Sequence, residues 1–501
     1  MATTTAPLSA KTTLAEYFAP YRARTIGIGR TFVTPYGEQP LVYADWTASG
    51  RLYAPIEDRL TYDIAPFVGN THTETTVTGS SMTIAYHKAL KLIKRHVNAA
   101  ATDVIISSNS GMTGVINKFQ RLLGYKIHER LQPFTKLPDH MRPIVFVTHM
   151  EHHSNQTSWL ETICDVEVIK ACPRGLVCLE DFARLLHEYR DRRTKIAAIT
   201  SCSNVTGIKT PYHQMAGMIH RAGGLCFVDF ACSAPYIDIN MHPGDPDERL
   251  DAIYFSPHKF LGGPGGTGIL IFDSRLYKNR VPDHPGGGTV DWTNPWGQHK
   301  YVEDIEARED GGTPAFLQTI RVALAVQLKE RMGVDRMLAR EEELLRVVWD
   351  RMDRIDNLHI LAGQHRDRLG VISFYIEDCH YNLAVKLLND RFGVQTRGGC
   401  SCAGTYGHYL LQVDQELSHE MTARIGVGDV SVKPGWVRMS IHPIMSDSEV
   451  AYIMDAIEQV AAHHSTWRAD YRYVPSLNEY VHHADEGIEH RMVADWFGPE
   501  S

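Results

Sequence analysis

Residues 251–273 read DAIYFSPHKFLGGPGGTGILIFD. Two short apolar runs flank a polar turn and a glycine-rich loop, a pattern that predicts two buried β-strands. One lysine, Lys259, lies in the turn after the first strand. Burial at such a strand end lowers the pKa of a lysine, so its neutral amine can attack an aldehyde. An ordinary surface lysine in a turn is the alternative interpretation of this motif alone.

Short apolar runs also alternate with amphipathic helical segments upstream of this stretch. The runs are VIISS (Val104–Ser108), PIVFVTH (Pro143–His149), VEVIKA, KIAAITS and GLCFVDF. This alternation predicts an α/β domain with a mostly parallel sheet. A helical segment over about 316–354, followed by VISFYI and GVQT, predicts a smaller α+β unit. We therefore predict four parts: an N-terminal segment that contributes to the small domain (1–55), a large domain (56–315), a small α+β domain (316–464) and a C-terminal appendage (465–501).

The composition of the 501-residue chain excludes several functional classes. The net charge of −8 gives no basic footprint, so nucleic acid and anionic membranes are not expected partners. No apolar run is long enough to cross a bilayer, and we expect a soluble, cytoplasmic protein. The start, MATTTAPLSAKTT, fits either a disordered tail or an organelle transit peptide. Nine scattered cysteines predict free thiols, and the pair Cys400/Cys402 lacks the second ligand pair of a zinc site, so no metal is expected.

Polar residues follow two of the upstream strands in a way that fits a charged, aromatic ligand. Asp229 ends the run CFVDF, where a buried carboxylate needs a cation or hydrogen-bond donors. A protonated pyridine nitrogen would satisfy it, as would a structural ion pair or a helix cap. The loop SSNSGMTG (Ser107–Gly114) opens a helix whose free N–H groups suit a phosphate, or which Ser110 or Thr113 simply caps.

Two more polar clusters lie at strand ends. MEHHSN (Met150–Asn155) offers a histidine that could stack on an aromatic ring, and SNVTG (Ser203–Gly207) offers Asn204 as a donor to a phenolate oxygen. Each signal is weak alone. Because ligands of open α/β sheets bind at the carboxyl ends of the strands, the five clusters together predict one site.

The ordered motifs SGMT, EHH, SNVTG, VDFA, SPHK and DGGTP resemble those of the class V aminotransferase group of fold-type I pyridoxal-5′-phosphate (PLP) enzymes. Cysteine desulfurases and selenocysteine lyases are members of that group. The resemblance covers about residues 40–460, including YADWTASG and PGWVRMS. It implies a PLP-binding large domain with a mostly parallel seven-stranded sheet, a smaller α+β domain, and Lys259 as the residue that forms the aldimine and moves protons.

The resemblance also implies roles for individual residues. Asp229 binds the pyridine nitrogen, His152 stacks on the ring and Asn204 lies near the phenolic oxygen. The phosphate is held by Met112 (through its backbone), Thr113, Ser256 and His258. Gly312 and Thr313 reach the phosphate of a neighbouring subunit, which implies a homodimer with shared active sites. On the side of the amino-acid substrate, Arg438 clamps the carboxylate, and His72 is a further substrate-binding residue.

The loop TRGGCSCAG (Thr396–Gly404) matches the loop in which desulfurases carry an arginine and a nucleophilic cysteine. Arg397 would then contact substrate, and the Cys402 thiolate would take sulfur or selenium and pass it to an acceptor protein. Cys400 is a second candidate thiol, and both cysteines are alternatively plain loop residues.

Three departures from the family pattern leave other reactions open. Cys232 replaces a glutamine, Gly398 and Gly399 replace histidines, and an insert separates Cys402 from Arg438. A class V aminotransferase, an isopenicillin-N-type epimerase and a C–S lyase without a persulfide are the alternative enzymes. A protein of this fold that only binds and scaffolds partners is the alternative outside enzymology.

Overall fold

The computed structural model describes residues 12–71 and 73–498. The helices are α1 Leu14–Ala23, α2 Ala54–Asp58, α3 Val77–His96, α4 Gly111–Leu122, α5 His153–Leu160, α6 Leu179–Glu188, α7 Tyr212–Arg221, α8 Ile305–Arg308, α9 Phe316–Met332, α10 Val334–Met352, α11 Tyr381–Phe392, α12 Gly404–Leu410, α13 Gln415–Gly426, α14 Asp447–Trp467 and α15 Ile488–Trp496. The strands are β1 Thr31–Thr34, β2 Gly37–Pro40, β3 Val42–Tyr43, β4 Asp103–Ser108, β5 Ile144–Thr148, β6 Asp165–Ile169, β7 Lys195–Thr200, β8 Leu225–Asp229, β9 Ala252–Phe255, β10 Gly268–Asp273, β11 Val290–Thr293, β12 His299–Tyr301, β13 Leu358–Ile360, β14 Val371–Ile376, β15 Val394–Gln395, β16 Arg397–Gly399, β17 Trp436–Ser440, β18 Tyr471–Val474 and β19 Glu479–His482.

The predicted large sheet has seven strands in the order β4-β10-β9-β8-β7-β5-β6. Strand β10 runs antiparallel to both neighbours, and the pairs from β9 through β6 are parallel. The α/β prediction with a mostly parallel seven-stranded sheet is therefore confirmed. The two apolar runs of residues 251–273 form β9 and β10, which lie side by side.

Both faces of the inner strands are buried, which explains why these strands are largely apolar. Alternate residues point to opposite faces. Ile105 and Phe146 pack with α3, α6 and α7 on one face, whereas Val104 and Val147 pack with α4 on the other. The polar side chains of the site therefore come from the ends of the strands and from the loops that follow them.

A second sheet, with the order β13-β14-β17-β16, is antiparallel throughout. The N-terminal segment joins this part of the molecule, because β3 pairs in parallel with β15 and Asp45 forms a bridge with Ser440. These pairings bring the N-terminal segment into contact with the part of the chain that forms the second sheet.

One detail differs from the sequence pattern. The helical segment expected over 316–354 is broken into α9 and α10 at Gly333, whose φ of 78° lies in the left-handed region that glycine tolerates. Part of the C-terminal appendage, the hairpin β18–β19, packs on α11 of the same chain. There the Tyr471 hydroxyl donates to Asp390 Oδ2 at 3.0 Å.

The glycines around Lys259 allow the chain to approach itself. A Cβ on Gly263 would lie 1.9 Å from the carbonyl oxygen of Pro257, and one on Gly268 would lie 2.0 Å from that of Gly111. Gly111 is the first residue of α4. The close contact therefore sets the distance between β10 and the helix N-terminus at the site.

We predict that Gly268→Ala destabilises the protein by about 1–3 kcal/mol, because the new methyl group would overlap backbone atoms that cannot rotate away. The measurement is the midpoint of thermal unfolding. Gly244→Ala is the matched control, since a Cβ there meets no described atom within 4 Å. Equal midpoints for both variants would contradict this steric argument.

Candidate active site

One cavity of about 240 Å³ lies beside the residues that follow β4, β5, β7, β8 and β9. The residues that the sequence predicts for the site and that line this cavity are Met112, Thr113, His152, Asn204, Asp229, Ser256, His258, Lys259, Arg397, Cys402 and Arg438. It is also lined by residues for which no role was predicted: Thr47, Ala48, Ser154, Thr200, Cys202, Ala231, Cys232 and Ser401. The cavity lies at the sheet edge where parallel strands present their carboxyl ends.

Lys259 lies at the end of a short 3-10 turn, Pro257–Lys259, directly after β9. Burial lowers the pKa of its amine, although Cys232 and Asp229 act in the opposite direction. A lysine in this environment reaches the neutral, nucleophilic form at lower pH than an exposed one.

Asp229 is the last residue of β8 and is 3% exposed. Its Oδ1 accepts a hydrogen bond from the backbone N–H of Ala231 at 2.7 Å, and within the described chain Oδ2 has no hydrogen bond or ion pair. Burial raises the pKa of this carboxyl to about 6. A buried carboxylate with a free oxygen is well suited to a cationic ligand atom.

His152 is the N-cap residue of α5, and its Nδ1 accepts a hydrogen bond from the Ser154 backbone N–H at 3.1 Å. Burial, followed by the charge of Lys259, lowers the pKa of this imidazole to about 3. The ring is therefore neutral at ordinary pH and carries its hydrogen on Nε2. A neutral, flat ring can cover the face of an aromatic ligand.

The N-terminus of α4 provides a polar end to the cavity. Ser110, its N-cap residue, makes no side-chain cap hydrogen bond. The backbone N–H of Met112 donates to Ser256 Oγ at 2.9 Å, and Thr113 Oγ1 lies 2.7 Å from Ser154 Oγ. Positive helix ends and clustered hydroxyls favour an anion such as a phosphate.

Arg438, on β17, is 3% exposed, so its charge needs a counterion. Its Nη2 lies 2.8 Å from Oδ1 of Asp45, and its Nη1 donates to the carbonyl oxygen of Asn204 at 3.2 Å. The other Asp45 oxygen lies 3.0 Å from Nε of the more exposed Arg397. Nε of Arg438 is buried without a partner in the described chain. One carboxylate thus orients both arginines.

Asp45 is a site residue that sequence reasoning missed. A signal was present, because Asp45 follows the short strand β3 within the motif YADWTASG. This motif alone did not reveal the role of Asp45, since nothing in the local sequence indicates that its partner, Arg438, is 393 residues away.

Cys402 is exposed and lies in a loop with an unusual backbone. Ser401 and Cys402 have φ angles of 52° and 56°, in the left-handed region that is costly for residues with a Cβ. Asn204 Nδ2 donates to the Ser401 carbonyl oxygen at 2.7 Å, and the His153 backbone N–H donates to that of Cys402 at 2.7 Å. Residues that follow β5 and β7 therefore hold this loop at the cavity.

Two further thiols, Cys202 and Cys232, are buried at the cavity, and both donate to the carbonyl oxygen of Ser203 at 3.6 Å. Burial raises the pKa of Cys202 well above its usual range. Cys232, noted from sequence only as a departure from the family pattern, is thus part of the cavity wall.

Some predicted residues lie away from this cavity. Gly312 and Thr313 are exposed at the surface, and Cys400 is half-buried outside the cavity wall. His72 lies outside the described residues. Across residues 12–71 and 73–498, no helix is both long and apolar enough to span a membrane.

Comparison with known proteins agrees with the motifs. The family model for aminotransferase class-V matches residues 42–453. A probable cysteine desulfurase of Halalkalibacterium halodurans is 28% identical over 368 residues, which is 73% of this chain and 84% of the relative. A probable cysteine desulfurase of Staphylococcus epidermidis is 29% identical over 369 residues, covering 72% and 83%.

Solved structures share the fold. A cysteine desulfurase from Thermococcus onnurineus superposes with a TM-score of 0.69 at 21% identity, covering 84% of this chain and 95% of that one. One from Escherichia coli gives 0.67 at 20% identity, covering 89% and 98%. These similarities confirm the fold-type I prediction. Since the family model spans most of the chain, this protein belongs to the aminotransferase class-V family, as its ordered motifs predict.

Proposed function

We propose that this protein is a PLP-dependent enzyme that breaks the C–S bond of L-cysteine, or the C–Se bond of L-selenocysteine, and transfers the released atom to Cys402. The observation that carries the proposal is that one cavity is lined by an amine of lowered pKa, a buried arginine and an accessible thiol: Lys259, Arg438 and Cys402. The similarity to probable cysteine desulfurases supports it.

The residues of the cavity fit PLP. Asp229 has a carboxylate oxygen without a hydrogen-bond partner among the described residues, as a pyridinium nitrogen requires. His152 offers a neutral ring for the cofactor plane. Met112, Thr113, Ser256 and His258 would hold the phosphate around the α4 N-terminus, and Asn204 would lie at the phenolic oxygen. When bound, PLP supplies an electron sink that weakens bonds to the α-carbon of the amino acid.

The protein's own groups then have separate tasks. Lys259 Nζ takes and returns protons, and its lowered pKa favours the neutral amine that can accept one. Arg438, oriented by Asp45, binds the substrate carboxylate, and its fork suits a planar anion. The Cys402 thiolate attacks the substrate sulfur, so that the C–S bond breaks and a persulfide remains on Cys402 while alanine leaves.

The proposal includes a second subunit and an acceptor. Gly312 and Thr313 are exposed, and in a homodimer they would reach the phosphate of the neighbouring subunit. Exposure of Cys402 would let an acceptor protein take the sulfur. A cytoplasmic location is also proposed, because all nine cysteines are free thiols, as in a reducing compartment.

We predict that Lys259→Ala abolishes the visible absorption that wild-type protein gains with PLP and lowers turnover of L-cysteine by about 10²–10⁴-fold. The spectrum and alanine formation measure this. Lys209→Ala is the control, because the Lys209 side chain does not line the cavity and its ion pair is with the exposed Asp367. If wild-type protein shows no visible absorption band even in excess PLP, the assignment of PLP as the cofactor is wrong.

We predict that Cys402→Ala removes the protein persulfide formed with L-cysteine, whereas Cys400→Ala retains it, because Cys402 lines the cavity and Cys400 does not. Mass spectrometry of the intact protein measures the added sulfur. If Cys402→Ala releases sulfide as fast as wild type, a C–S lyase without a persulfide is the better assignment. If the C–S bond stays intact and a keto acid forms, the protein is a transaminase. If the C–S bond stays intact and the substrate is epimerised, the protein is an epimerase.

We predict that Arg438→Lys raises the KM for L-cysteine by about tenfold or more while the cofactor spectrum stays unchanged, because lysine keeps the charge and loses the two-pronged fork. Arg397→Lys should have a smaller effect, since that side chain is half exposed. Steady-state kinetics of both variants provide the comparison. Equal changes in KM would contradict the assignment of Arg438 as the main carboxylate ligand.

A further inference from the structure

Two helix N-termini meet beside Cys402. Helix α5 begins at His153 and α12 begins at Gly404. The first N–H groups of a helix have no partner within that helix and must find one elsewhere. The His153 N–H donates to the Cys402 carbonyl oxygen at 2.7 Å, and the Gly404 N–H donates to His153 Nε2 at 2.9 Å. Each helix start is thus satisfied by the other segment.

His153 makes this connection with both its backbone and its ring. The ring accepts through Nε2, so it must be unprotonated there, and partial burial lowers the pKa of His153 in that direction. A third contact comes from the first turn of α5, where Gln156 Oε1 accepts a hydrogen bond from Thr405 Oγ1 at 2.7 Å. Helix α5 therefore contacts Cys402 itself and also Gly404 and Thr405, which follow it in the chain.

The loop needs such contacts because its backbone is strained. Ser401 and Cys402 are consecutive left-handed residues, and a conformation of this kind persists only where the surroundings enforce it. Without the hydrogen bond from Gly404 to His153, the loop could relax to ordinary backbone angles and move the thiol. The N-cap residue of α5 is His152, which lines the cavity beside Lys259.

We propose that His153 is a positioning residue that holds the Cys402 thiol at the cavity by joining the start of α12 to the start of α5. The inference rests on the proposed function, in which that thiol receives sulfur. His153 does not line the cavity itself, so its effect on the reaction acts through the Cys402 loop.

The test compares His153→Ala, which removes the acceptor, with His153→Gln, which keeps a neutral acceptor of similar reach. His213→Ala is the control, since His213 is a half-buried histidine on α7 whose ring contacts the Glu248 carbonyl oxygen, away from the cavity. The first readout is hydrogen–deuterium exchange at the Gly404 amide in protein without L-cysteine. The second is the rate of Cys402 persulfide formation in a single turnover, with KM measured in parallel.

We expect His153→Ala to speed exchange at Gly404 and to slow persulfide formation, each by about three- to tenfold, as the removal of one hydrogen bond implies. KM and the cofactor spectrum should stay as in wild type, and His153→Gln should recover most of the rate. The His213→Ala control should match wild type in every readout.

Unchanged exchange at Gly404 in His153→Ala would overturn the inference, as would equal persulfide rates for wild type and His153→Ala. A parallel rise in KM without a change in persulfide rate would overturn it too, because His153 would then act on substrate binding. If wild-type protein forms no persulfide, the proposed function fails, and the exchange experiment still decides whether His153 holds the loop.

Discussion

The buried ion pair between Arg438 and Asp45 joins the parts of the chain that enclose the cavity. A guanidinium that is 3% exposed cannot remain without a counterion, because removing one partner of a buried pair typically costs about 3–5 kcal/mol. Asp45 comes from the N-terminal segment, Arg438 from the second sheet, and the Asn204 carbonyl from the loop after β7. The three segments therefore have to meet at one point, and the cavity forms where they do.

Burial sets the protonation of the other site residues in one common direction. It lowers the pKa of Lys259, lowers that of His152 to about 3 and raises that of Asp229 to about 6, so each group is shifted towards its neutral form. A ligand that carries both a phosphate and a pyridinium would change these environments, because it would pair with Asp229 and occupy the polar end at α4. Desolvation makes an isolated charge in the cavity unfavourable in free energy. For the same reason, the cavity selects a ligand whose charges are opposite to those of the residues they contact.

Much of this arrangement could be predicted from local sequence. Lys259, Asp229 and His152 each follow an apolar run, and parallel strands bring their carboxyl ends to one edge whatever the lengths of the intervening helices. The order of the motifs then predicted the family and the seven-stranded sheet. The roles of the glycines were harder to predict. Gly263 and Gly268 make room for neighbouring backbone, whereas Gly333 divides a helix. These roles depend on φ angles and contacts that the sequence does not show.

The sequence by itself determined which residues follow the strands and hence which chemical groups gather at the sheet edge, because strand periodicity and chain direction are local properties. Only the tertiary structure decided that Asp45 neutralises Arg438 and that the His153 ring meets the Gly404 amide. These pairs join residues 393 and 251 positions apart. They arise when the second sheet and the N-terminal segment dock against the large sheet. No local pattern of residues indicates which side chains will meet across these packed surfaces.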